Sequence, residues 1–296
     1  MAADVALPAP ARKNRLQEKV LSHLSVAAIY LILLLGAVLV FFPFAWTIST
    51  SLKSEQQTLE YPPTWIPDPV QWENYPNALT ARPFGRYYVN TTIITTLSVI
   101  GQVISSAIVA YGFARFRFPG RGFMFLVVLS TLMIPFHILI IPRFILFRHL
   151  GWLDTFLPLI VPNFFGGAFS IFLLRQYFLT IPLDLDEAAK MDGASAFQIF
   201  LRIILPLARP ALGAVAVFEF VSTWNDFLSP LIYLSSDRNY TVSIGLAAFR
   251  NDYFTAWHLF MAASAVAMLA PLVVFFLAQK YFISGVALTG SGGSKG

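Results

Sequence analysis

The chain of 296 residues has no cysteine, which excludes a disulfide framework, a thiolate metal site and a cysteine nucleophile. It is also short of charge: 12% of its residues are Asp, Glu, Lys or Arg, against about 25% in an ordinary soluble domain. Apolar residues fill the gap, at 57% of the chain with 16% aromatics and a mean hydropathy of +0.69. A water-soluble fold of this size would have to expose large apolar patches. Disorder, a collagen-like chain and a conventional soluble enzyme are therefore excluded. The length accommodates about six helical spans of about 20 residues each, so the expected class is all-α integral membrane. The net charge of +5 reads as basic residues flanking helices, not as a nucleic-acid surface.

Apolar runs fall at 24–49, 87–113, 122–141, 155–179, 207–234 and 257–282. The first is too long for a signal-peptide core of about 7–15 residues and is expected to remain as an anchor. Prolines 43, 135, 162 and 271 lie in or near these runs, where packed neighbours can re-satisfy the freed carbonyls. Six spans put both termini on one side. Thirteen of the 20 basic residues lie on that side: Arg12, Lys13, Arg15 and Lys19; Arg115, Arg117 and Arg121; Arg175, Lys190, Arg202 and Arg209; Lys280 and Lys295. The more basic side faces the cytoplasm, so both tails are expected inside. The expected organisation is a tail (1–23), a first span (24–50), an external loop (51–86), a five-span core (87–283) carrying a cytoplasmic loop at 182–206, and a second tail (284–296). The external loop and residues 235–256 either touch a partner outside or cap the helices.

The segment at 182–210 is unlike the rest, polar at first and then amphipathic. Asp184 with Glu187 three positions later fits a capping box, and Gly193 fits a left-handed terminator. Ser195 fits the cap of a second helix, running from Ala196 to about Leu205, that Pro206 interrupts or bends.

Glu187, Ala188, Ala189, Gly193, Ile203, Leu205 and Pro206, at the spacing E-A-A-x3-G-x9-I-x-L-P, resemble the EAA loop of ABC importer permeases. Asn90, the AYGFARFRFPGRG stretch at 110–122, Met133-Ile134-Pro135, Thr223-Trp224-Asn225-Asp226-Phe227 and the tail Tyr281-Phe282-Ile283-Ser284-Gly285 are similar to the carbohydrate branch of that family, and within it to the maltose-type second permease subunit. The resemblance implies a type I importer permease fold. It also implies a second homologous permease, two ATPase subunits that bind ATP and Mg²⁺, an extracytoplasmic solute-binding protein and a sugar as cargo. In such importers the EAA loop docks into a cleft on one ATPase. Glu187 would offer its carboxylate to a basic group there, Ala188 and Ala189 would allow close approach, and Gly193 would permit the turn. The chain itself is then a transport subunit and not an enzyme. The glycine-rich end at 290–296 is no phosphate-binding loop, because Lys295 is followed by glycine and no strand precedes it.

Acids inside spans are functional candidates by default. Glu219, Ser222, Thr223 and Asp226 share one helical face. That face either lines a pathway and hydrogen-bonds sugar hydroxyls, with Asn90 a further pathway residue, or it packs against the partner permease. The stripe Thr91, Thr95, Ser98, Gln102, Ser105 and the set Asn163, Gly166, Gly167, Ser170 read as helix–helix contacts. His23, His137, His149 and His258 have no metal-ligand spacing, so no metal is expected. Two alternatives remain: a glycerol-3-phosphate-type ABC permease, which the acidic spans disfavour, and an ion-coupled secondary transporter with Glu219 as its ion site, which the lack of an internal repeat disfavours.

Overall fold

The computed structural model describes the backbone of residues 15–249 and 256–290, and the side chains of residues 23–249 and 256–279. The basic residues Arg12, Lys13, Arg250 and Lys295, and the side chains of Arg15, Lys19, Lys280 and the 281–285 tail motif, lie outside the described residues. Among the described residues every regular element is helical.

The helices run in chain order as α1 (Arg15–Ser51), α2 (Glu55–Leu59), α3 (Asn74–Ala81), α4 (Phe84–Arg115), α5 (Arg121–Ser130), α6 (Phe136–His149), α7 (Leu157–Ile160) and α8 (Ala168–Thr180). They continue as α9 (Asp184–Met191), α10 (Ala196–Ile199), α11 (Leu205–Leu207), α12 (Arg209–Trp224), α13 (Leu228–Tyr233), α14 (Val242–Ala247), α15 (Trp257–Ala267) and α16 (Leu269–Gly290). Among the described residues, four stretches are long and apolar enough to cross a membrane: His23–Ser51, Phe84–Arg115, Leu157–Thr180 and Trp257–Gln279. Two bent pairs, Arg121–Met133 with Phe136–His149 and Ala196–Leu207 with Arg209–Trp224, bring the number to six if each is one span.

The third and fifth runs thus depart from the straight spans that hydropathy implies. The third turns by 97° at Pro135, which adopts an extended conformation before α6; a proline lacks the N–H that would continue the helix. The fifth stops at Trp224 and resumes at Leu228. There Asp226 Oδ1 accepts the Ser229 N–H at 3.1 Å, a side-chain cap in place of a continuing backbone bond.

The central helix is α4. It packs against α8, α12, α14 and the 3₁₀ turn Val161–Phe165 that follows α7, and its small polar residues face those neighbours. Ser98 donates to the Leu159 carbonyl at 3.2 Å, Gln102 to the Ser170 hydroxyl at 2.9 Å and Ser105 to the Asn163 carbonyl at 3.2 Å. Gly101 and Gly167 allow this approach: a Cβ on Gly101 would lie 2.5 Å from the Phe164 ring, and one on Gly167 2.2 Å from the Gln102 amide nitrogen. Ser98, Gln102, Ser105 and Ser170 make helix contacts, in keeping with their sequence reading, whereas Thr91 and Asn163 also line a cavity.

By contrast, α1 packs along α15 and leaves a row of large apolar side chains from Leu24 to Phe42 exposed. The loop after it is ordered. Asn74 donates to the Ser51 and Lys53 carbonyls at 2.9 and 2.8 Å, and Trp65 packs edge-on against Phe42 and Trp46.

Candidate functional site

The loop at 182–206 forms a rigid projection. Helix α9 begins one residue earlier than the capping-box pattern implies. Leu183 is the N-cap residue, already in helical conformation, and no side chain caps the helix. Asp184 is therefore inside the first turn and cannot take the extended geometry of a cap. With Asp186 and Glu187 it places three acids where the helix dipole favours negative charge.

The end of α9 follows the sequence reading. Gly193 has φ 80, its N–H donates to the Lys190 carbonyl at 3.0 Å, and the Ala194 N–H donates to the Ala189 carbonyl at 2.9 Å. These two bonds make a Schellman turn. Ser195 then caps α10, and Gln198 returns the bond in a reciprocal box. The helix does not break at Pro206. It widens to a π turn over Phe200–Ile204, where the Leu205 N–H reaches back to the Phe200 carbonyl. The chain then bends by 77° between Leu207 and Arg209.

The motif residues divide by face. Ala189 is buried, whereas Glu187, Ala188 and Gly193 are exposed; Ile203 and Leu205 are half-buried and Pro206 is exposed. Met191, one turn after Glu187 on α9, and Phe197 on α10 stand out as apolar side chains 88% and 68% exposed. A contact that sequence reasoning missed holds the projection to the bundle. Arg115, at the end of α4, lies 3.0 Å from Asp186, with the two side chains 4% and 6% exposed. Arg115 also donates to the Ile181 carbonyl at 3.0 Å, and the Tyr111 hydroxyl donates to the Ala196 carbonyl at 3.1 Å.

Glu219, Ser222, Thr223 and Asp226 come together on the wall of one cavity of about 150 Å³. Thr223 donates to Glu219 Oε1 at 3.0 Å. The lining also includes Phe136, Arg143 and Phe147 of α6, with Asn163 and Tyr233. Arg143 lies just beyond the third apolar run, and the turn at Pro135 carries it to this cavity. Asn90 is elsewhere. Its amide donates to the Arg238 and Tyr240 carbonyls, both at 2.9 Å, and so pins the segment before α14 to α4.

Several apolar helices long enough to cross a bilayer, with a projecting, glycine-terminated loop, define an integral membrane protein. Residues 102–287 match the family model "Binding-protein-dependent transport system inner membrane component", and the chain belongs to that family. It is 33% identical to the diacetylchitobiose uptake system permease protein NgcG of Streptomyces coelicolor, over 86% of this chain and 85% of that one. It is 31% identical to the sn-glycerol-3-phosphate transport system permease protein UgpE of Yersinia pestis, over 87% and 94%. Its fold is shared with a chain of a bacterial ABC transporter involved in the import of the acidic polysaccharide alginate: TM-score 0.75, 24% identity, 93% of this chain and all of that one.

Proposed function

We propose that this chain is one of two permeases lining the pathway of an ATP-driven sugar or oligosaccharide importer in a bacterial plasma membrane. Its termini are cytoplasmic, a binding protein delivers the solute outside, and a separate ATPase pair binds ATP and Mg²⁺. The observation that carries the reading is the projection at 182–206. Its exposed Glu187–Ala188 edge and the Met191 and Phe197 side chains are fixed to the bundle by the Arg115–Asp186 pair and the Gly193 turn. Such a knob can transmit movement of a docked ATPase into α4, α8 and the α10–α12 arm. The sugar assignment is supported by the diacetylchitobiose for which NgcG is named and, against the glycerol 3-phosphate for which UgpE is named, by two carboxylates in the cavity, which oppose an anionic solute.

Glu187→Lys reverses the charge offered to the ATPase. Gly193→Val forces a β-branched residue into a positive φ, at a cost of about 1–3 kcal/mol. Both variants are expected to insert normally and to lose sugar uptake and its coupling to ATP hydrolysis, measured in vesicles with the binding protein present. Wild-type uptake by both would refute the docking role, and uptake driven by an ion gradient without an ATPase would refute the reading as a whole.

A further inference from the structure

The cavity walled by Glu219 contains a buried donor without a partner and a partly exposed cation without an ion pair. Tyr233 is 3% exposed and lines the cavity, yet its hydroxyl has no hydrogen-bond partner among the described residues. A buried polar group left in this state is costly. Arg143 sits with its guanidinium 5.5 Å from the centre of the Phe136 ring and forms no ion pair among the described residues. Acceptors line the same cavity. Thr223 occupies Glu219 Oε1 and leaves Oε2 to accept, and Asp226 Oδ1 takes the Ser229 N–H and leaves Oδ2. Aromatic rings complete the wall, with Phe147 set edge-on to Tyr233 at 5.2 Å.

Donors, acceptors and ring faces around a space of about 150 Å³ match a definite chemistry. A cavity of about that volume holds one six-membered ring. A pyranose presents C–H faces to aromatic rings, while each hydroxyl both donates and accepts. A phosphate or carboxylate would meet two acids; an apolar solute would leave Tyr233 and Arg143 unpaired. We propose that this cavity is a solute station of the subunit itself, taking one neutral pyranose unit, with Arg143 and Tyr233 donating to its hydroxyls and Glu219 and Asp226 accepting from them. The inference rests on the sugar-importer reading and adds that this permease touches the cargo.

The test is saturation-transfer NMR on the purified transporter in nanodiscs without binding protein. The probes are a panel of neutral methyl pyranosides, with sn-glycerol 3-phosphate and cyclohexanol as comparisons. At least one pyranoside should bind and the comparisons should not. Tyr233→Phe should weaken that binding about tenfold, the scale of one hydrogen bond, and Arg143→Gln by at least as much. Removing an unpartnered hydroxyl leaves stability unchanged or raises it if the tyrosine is merely structural, so an unaltered melting temperature with lost binding supports the station. The inference is overturned if no pyranoside binds, if glycerol 3-phosphate binds in preference, or if Tyr233→Phe binds as the wild type does. Co-purification of an ATPase with the wild-type chain is scored separately, so loss of this station leaves the importer reading standing.

Discussion

Asp154 shows how much one side chain outside the spans can organise. It has φ 58, a left-handed conformation that aspartate tolerates better than most residues. Its carboxylate accepts the Ser235 and Ser236 N–H groups at 2.9 and 2.8 Å and the Ser236 hydroxyl, so it ties the loop before α7 to the segment after α13. Burial pushes its pKa up, but the bonds from Ser236, Ser235 and Asn239 outweigh this and hold the carboxyl well below the usual range. Because the folded pKa is depressed, the stabilisation is present in full above the unfolded value of about 4 and is lost as pH falls through the folded value. Asp154→Asn is expected to cost about 1–3 kcal/mol at neutral pH. The gap in melting temperature from wild type should be constant between about pH 7 and 5 and should close in stronger acid; a gap independent of pH throughout would contradict this. Nothing in the local sequence marks Asp154, since its partners lie some 80 positions away.

At the scale of the element, α9 was legible at its C-terminal end and not in its start or its attachment. Gly193 and Ser195 announce a stop and a start because each acts on its own backbone. Asp184 misled because Pro182 and Leu183 let the helix begin a residue early, which a spacing pattern does not register. Arg115 and Asp186 carry opposite charges but sit on different helices, and only the approach of α9 to the end of α4 pairs them. Removing one member of a buried pair strands the other charge. Asp186→Asn and Arg115→Met are each expected to lower stability by about 3–5 kcal/mol, and the double variant Arg115→Met/Asp186→Leu to recover most of that. A thermal double-mutant cycle reads the coupling directly; additive losses would show that the pair does not hold the loop.

For the whole molecule, the absence of cysteine becomes an experimental advantage. Tyr61, in the loop after α1, is 94% exposed, and Met191, on the projection at 182–206, is 88% exposed. Single Tyr61→Cys and Met191→Cys variants therefore provide unique labels. An impermeant maleimide is expected to modify Tyr61→Cys in intact cells and Met191→Cys only after permeabilisation. The reverse pattern would invert the proposed orientation.

Composition and periodicity carried the membrane class, the approximate places of the spans, the turn at Gly193 and the shared face of Glu219, Ser222, Thr223 and Asp226, because each depends on hydropathy or on neighbours within a few turns. The bends at Pro135 and Ala208, the placing of Arg143 in one cavity with Glu219, the use of Asn90 as a tie to the 238–240 segment and the burial of Arg115 against Asp186 depend on which helices meet. Those meetings are set by packing between distant parts of the chain, where a glycine such as Gly101 or Gly167 admits a neighbour and a proline turns a run of apolar residues aside.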